Sequence, residues 1–98
     1  MVEIVWTAPA LSELNDIAEY ISLSNQSAAE KLVTNVFSKI ERLECHPESG
    51  KVPVEIPTLS YREVVVTPCR IFYKFESGKV FILHVMRQEQ DLRRFLLI

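Results

Sequence analysis

Only two glycines, Gly50 and Gly78, and two cysteines, Cys45 and Cys69, occur in this 98-residue chain, and low-complexity tracts and internal repeats are absent. So few cysteines exclude the disulfide framework on which small secreted domains depend. Cys45 and His46 lack metal-ligand spacing and Cys69 has no companion pair, so a zinc site is not expected, nor any cofactor. No apolar run approaches the ~20 residues that cross a bilayer. The start, Met1-Val2-Glu3-Ile4-Val5-Trp6, also lacks a basic region followed by a long apolar one. The expectation is a cytoplasmic protein with no membrane contact.

What is present is a hydrophobic share of 48% beside 24% charged residues, too apolar for a disordered chain and short enough for one domain with one modest core. The formal net charge of −2 is unevenly spread. Residues 1–59 carry four Lys/Arg and nine Asp/Glu, a balance of −5, whereas residues 60–98 carry seven and four, a balance of +3. The second half is the basic half.

The segment 3–6 is short and alternating, as a strand would be, and Thr7 can cap a following helix with Pro9 in its first turn. That helix is predicted over about residues 9–23, with Leu11, Leu14, Ile17, Ala18 and Ile21 on one face. Ser24-Asn25-Gln26-Ser27 breaks it, and either Asn25 or Ser27 can cap a second helix, Ser27 and Glu30 having capping-box spacing. The second helix should reach about residue 45, with Ala28, Leu32, Val33, Val36, Phe37, Ile40 and Leu43 as its apolar stripe. The short connection makes the helices an antiparallel hairpin. Three prolines and a glycine within residues 46–57 predict a loop, with room for an extended fragment at residues 52–54.

Three strands are then expected: one from Tyr61 to Val66, one from Cys69 to Phe75, and one from Lys79 to Arg87. Ser77-Gly78 forms the second turn, and Glu76 and Lys79 flank it as opposite charges. Both alternating sets in these strands are largely apolar, so both faces of the sheet should be covered. The helical hairpin can cover one face, leaving the other to residues 91–98 or to another molecule. Counting back from the turn, Phe75 faces Val80, Tyr73 faces Ile82 and Ile71 faces His84, while Phe72 lies opposite Leu83 and Arg70 opposite Val85. Arg70 and Arg87 then share a face; a three-residue connection at Thr67-Pro68-Cys69 would bring Arg62 to it, and a two-residue turn at Thr67-Pro68 would send it to the other.

The order of these elements, strand, helical hairpin, proline-containing loop, three-stranded sheet, makes an α+β fold. With it come Trp6-Thr7-Ala8-Pro9-Ala10, Asp16-Ile17-Ala18-Glu19-Tyr20-Ile21, Leu43, Pro47, Gly50-Lys51, Tyr61-Arg62-Glu63-Val64 and Arg70-Ile71-Phe72-Tyr73. Over nearly the whole chain this resembles the ParE/RelE superfamily of bacterial toxin–antitoxin modules. The resemblance implies one toxin domain over residues 1–98, ending in a short helix or tail, and a cognate antitoxin laid along its helices and sheet in a hetero-oligomer. It also implies one of two activities: poisoning of DNA gyrase by binding, or ribosome-dependent cleavage of mRNA. A nuclease needs groups that take and return protons beside a stabilised phosphate. After Arg87 the chain reads Gln88-Glu89-Gln90-Asp91-Leu92-Arg93-Arg94-Phe95, with no tyrosine or histidine and with Glu89 and Asp91 set to repel a phosphate. The ParE-like branch is therefore favoured, although its pattern more often has histidine at the place of Arg87 and arginine at that of Gln90. Under this reading no residue is catalytic.

The candidates for binding the target or the antitoxin are Arg62, Arg70, Arg87, Lys51, Phe72, Leu83, Arg93 and Arg94. Arg62 and Arg70 have a second reading, in which each pairs with a carboxylate such as Glu63 or Glu55 and holds the sheet edge or the loop. His84, within an apolar strand, reads as a packed histidine, and Trp6 as an anchor of the core or its edge.

Overall fold

The Thr7 hydroxyl both starts a helix and ties it to the sheet. In the computed structural model, which describes residues 1–93, strand β1 (Glu3–Trp6) runs into helix α1 (Ala8–Ser22). Between them Thr7 Oγ1 accepts from the Ala10 N–H at 3.4 Å and donates to the Ile82 carbonyl at 2.7 Å. Helix α2 (Gln26–Glu41) is capped by Asn25, whose Oδ1 accepts from the Ala28 N–H at 3.0 Å, and a 3-10 turn (Arg42–Glu44) extends it. Of the two caps open to the sequence, Asn25 serves; Ser27 falls inside the helix.

Strands β2 (Arg62–Val66), β3 (Cys69–Glu76) and β4 (Lys79–Arg87) pair antiparallel, and β1 adds to β4 in parallel, giving one sheet in the order β1-β4-β3-β2. The expected Ser77-Gly78 turn is present, with φ of 53° and 74°, the left-handed pair that a tight hairpin requires. The α+β arrangement matches the one expected. No helix among the described residues is long and apolar enough to cross a membrane.

Both helices lie on one face of the sheet. Ala10 and Leu14 of α1, with Ile17 and Ile21 beside them, and Leu32, Val36 and Ile40 of α2 with Leu43, pack on Val64, Ile71, Tyr73, Val80, Ile82 and Val85. The line through α1 is thus 10-14-17-21, and Leu11, expected on the buried face, is 44% exposed. Phe37 of α2 is likewise exposed on one side, tilted against Trp6 with ring centroids 4.9 Å apart.

The register departs from the expected one past Ile82. Phe75 pairs with Val80 and Tyr73 with Ile82 as anticipated, but a bulge leaves Leu83 unmatched, so Phe72 pairs with His84, Ile71 with Val85, Arg70 with Met86 and Cys69 with Arg87. The bulge coincides with the end of β1. From there the outer edge of β4 is served by α1: Thr7 N–H donates to the Ile82 carbonyl, and the Glu13 carboxylate accepts from the Val85 N–H at 3.0 Å. The shift carries Val85 into the helix-covered core and Met86 to the other face.

That second face is closed from within the chain. Phe72, Met86 and Leu92 are buried together with Ile56 against them, and Pro53 is also buried. The cover expected from residues 91–98 or a partner comes in large part from the proline-containing loop. The extended fragment expected at residues 52–54 does not form; the loop instead makes a single bridge just before it, Lys51 to Glu63. The expected C-terminal helix or tail falls mostly outside the described residues.

Candidate functional site

Arg70 stands on the loop-covered face with its guanidinium engaged at all three nitrogens. Nε donates to Glu63 Oε2 at 2.9 Å, Nη1 to Glu55 Oε2 at 2.7 Å and to the Gln90 carbonyl at 2.9 Å, and Nη2 reaches Glu55 Oε1 at 2.7 Å and Glu63 Oε2 at 2.8 Å. The same guanidinium lies over the Phe72 ring, 4.8 Å from its centroid. Glu55 also accepts from the Leu92 N–H at 3.2 Å. One side chain therefore joins β2, β3, the loop and the turn after β4. The hydrogen bonds from Arg70 hold the Glu55 carboxyl down at about 2, against an ordinary 4.5, although burial opposes this. Those from Glu55 in turn raise the guanidinium's pKa.

Arg62 lies on the opposite face. Val66 pairs with Cys69 across a two-residue turn at Thr67-Pro68, so Arg62 comes opposite Tyr73 on the helix-covered side. There its Nη1 donates to the Gly50 carbonyl at 2.9 Å and its Nη2 lies 3.7 Å from Glu48. The Gly50 N–H donates to the buried Tyr73 hydroxyl at 2.9 Å, and a Cβ on Gly50 would sit 2.6 Å from that oxygen and 2.8 Å from the Glu63 carbonyl. Burial pushes the Tyr73 phenol up. Arg62 thus braces the loop where the backbone passes closest to the sheet.

Arg87 does not join Arg70, because the bulge sets them on opposite faces. It is exposed, with its guanidinium carbon 5.4 Å from the Tyr20 ring centroid and Nε 3.3 Å from Glu89. Although it shares the helix-covered face with Arg62, the two stand opposite Cys69 and Tyr73, four residues apart along β3, roughly 13 Å at strand rise. Of the other candidates, Lys51 is exposed and lies 3.7 Å from Glu63, Phe72 is buried, and Leu83 is the bulged residue. Arg93 is folded back on Asp91, at 2.8 Å through Nη2, and Arg94 lies outside the described residues. The structure therefore brings together Arg70 and Phe72, with Lys51 reaching Glu63 from the outer edge, and sets Arg62 and Arg87 on the opposite face.

His84 is half-buried at the bulge, its Nδ1 3.1 Å from Glu13 Oε2, and is not enclosed in the core. Glu13 was not among the sequence candidates; its position on the polar side of α1 gives no sign that it reaches a strand edge. The grouping of Lys39, Arg42 and His46 was also missed, though their spacing of three and four along α2 and its extension is visible in the sequence.

The chain matches, over residues 4–92, the family model described as ParE toxin of type II toxin–antitoxin system, parDE. It is 30% identical over 86 residues to Toxin RelE2 of Caulobacter vibrioides, an alignment spanning 87% of this chain and 93% of that protein. A solved structure of the chromosomal ParDE toxin–antitoxin system from P. aeruginosa superposes with a TM-score of 0.75 over 91% of this chain and 98% of that one, at 20% identity. The last likeness concerns the fold.

Proposed function

Because the chain belongs to the ParE/RelE family of type II toxin–antitoxin toxins, we propose that it acts by binding DNA gyrase and blocking replication, with no chemistry of its own. Membership implies a cognate antitoxin. The observation that carries the gyrase reading is the engagement of Arg70. A nuclease would aim that guanidinium at a scissile phosphate, yet it donates four hydrogen bonds to Glu55, Glu63 and the Gln90 carbonyl and lies between the two carboxylates as their ion-pair partner. Arg62 and Arg87 support it by their separation, since phosphate chemistry needs its cations and proton carriers converging on one point. Exposed Arg87 and Lys51 are the candidate residues left open to a protein partner.

A second reading is favoured by the name of the Caulobacter relative, RelE2: ribosome-dependent mRNA cleavage, with Lys51 and Arg87 near the message and the ribosome completing the catalytic arrangement. Purified protein separates the two. Supercoiling of relaxed plasmid by gyrase is expected to stop, or gyrase to be trapped on cleaved DNA, with ribosome-bound mRNA left intact. Unimpaired supercoiling at stoichiometric excess of the protein, together with codon-specific cuts in the message, overturns the gyrase reading.

A further inference from the structure

Before residue 60 the chain has only four lysines and arginines, Lys31, Lys39, Arg42 and Lys51. Lys39, Arg42 and His46, from α2 and its 3-10 extension, and Lys51, from the loop, line one cleft of about 520 Å³. Past Arg42 it runs on beside Val65 and Val66, where Asn35 and Ser38 join its lining. Positions 31, 35, 38, 42 and 46 are four, three, four and four apart, so Lys31 falls on the same line of the helix. At 1.5 Å per residue that line is roughly 22 Å long, several times the size of a single phosphate group.

Cations on a solvated helix face ordinarily have carboxylates three or four residues away. Lys31, Lys39 and Arg42 have none at those positions, although this half of the chain carries nine Asp/Glu. Arg42 instead has Lys39 three residues before it, a like charge that works against the helix. The side chains of Lys39, Arg42 and His46 have no hydrogen-bond or ion-pair partner among the described residues. Of the described residues lining the cleft, Glu63 alone is a carboxylate, and it is buried and shared between Arg70 at 2.8 Å and Lys51 at 3.7 Å. The acidic half of the chain thus sets its few cations along one groove and keeps free carboxylates out of it.

We propose that this groove binds the phosphodiester backbone of DNA, one strand lying along α2 with its phosphate oxygens on Lys39 and Arg42. The backbone offers acceptors, and every polar side chain along the line can donate. With a net charge of −2 the protein has no general attraction for DNA, so the contact is local to these residues. The inference rests on the gyrase reading for its setting, a target that itself holds DNA, but the contact belongs to this chain and is tested on it alone.

The test is the fluorescence anisotropy of a short labelled DNA duplex titrated with the protein over a range of salt concentrations. Saturable binding is expected, with log affinity falling against log salt at a slope of about −2 to −4, since each phosphate neutralised contributes about 0.9. Arg42→Glu should weaken binding about tenfold and flatten the slope by about 1, and Arg42→Gln, which keeps a donor without the charge, should flatten it equally. Lys79→Glu makes the same reversal beside the Ser77-Gly78 turn, away from the groove, and is expected to change neither. The proposal is overturned if no saturable binding appears at low salt, if Lys79→Glu weakens binding as much as Arg42→Glu, or if a polyglutamate peptide binds more tightly than the duplex. Gyrase is scored separately. A protein that binds DNA through Arg42 yet leaves supercoiling unimpaired overturns the gyrase reading and upholds the groove; one that stops gyrase without binding DNA does the reverse.

Discussion

On the helix-covered face, Leu14, Leu32, Val36, Ile40 and Leu43 meet Val64, Ile71, Val80, Ile82 and Val85, and the polar contacts of Thr7 and Glu13 lie at the rim. On the loop-covered face a small group, Phe72, Met86, Leu92 and Ile56, surrounds an ion cluster of Arg70 with Glu55 and Glu63. The first face is held by apolar area, at about 25 cal/mol per Å², and each contact there can be weakened by degrees. The second is held by geometry. A buried ion pair contributes little beyond what apolar residues of the same volume would, but breaking it leaves a charge stranded. The difference separates the two sides by role: an arginine that closes the loop against the sheet is spent on structure, whereas Arg87, which meets Glu89 and Tyr20, stays exposed on the other side.

The largest effect is expected from Arg70→Ala, which leaves Glu55 and Glu63 buried without their partner and should cost about 3–5 kcal/mol in urea denaturation. A shortening on the helical side, Ile40→Val, should cost only about 0.5–1.5 kcal/mol. Replacing Arg70, Glu55 and Glu63 together by Met, Leu and Leu should recover much of the loss. Arg70→Ala costing no more than Ile40→Val would erase the contrast between the faces.

Acid should also act on the loop side first. The Glu55 carboxyl is depressed from 4.5 to about 2, so the stability it contributes is complete above about pH 4.5 and is lost as pH falls through about 2. The shift corresponds to on the order of 3 kcal/mol. Arg70 remains charged throughout this window and takes no part in the titration. Stability measured by urea melts from pH 5 downward should therefore fall more steeply in the wild type than in Glu55→Gln, which lacks the titrating group. Equal slopes would mean that Glu55 does not report on closure of the loop.

The same contrast governs how much could be read from the sequence. The helical layer was legible because its contacts repeat: 14, 17 and 21 in α1 and 32, 36, 40 and 43 in α2. Leu11 was misplaced because each step around a helix is about 100°, and the sheet lies along the line through Ala10, not beside it. The bulge at Leu83 was hidden because Phe81-Ile82-Leu83-His84-Val85-Met86 is apolar in both alternations, so either register buries apolar side chains. What selects the observed one is distant, the end of β1 and the arrival of Thr7 and Glu13. Glu55 and Glu63 could be named as partners for a strand arginine, but their convergence on Arg70 alone depends on a loop with no periodicity. The face assigned to Arg62 turned on the length of the Thr67-Pro68 turn, which the residues alone left open.

The smallest effect should come from the rim of the helical layer. Asn25 is exposed and its side-chain Oδ1 accepts one backbone N–H, from Ala28, so Asn25→Ala should cost about 1 kcal/mol, the usual contribution of such a cap. Ser27 is the second residue of the same helix and caps nothing, so Ser27→Ala should change stability by a few tenths of a kcal/mol at most, alanine being the better helix former. Urea melts of the two variants side by side would decide between the two caps that the sequence offered. A larger loss for Ser27→Ala than for Asn25→Ala would move the start of α2. It would also show that the helical layer, like the loop layer, relies on a polar contact within the element and not only at its rim.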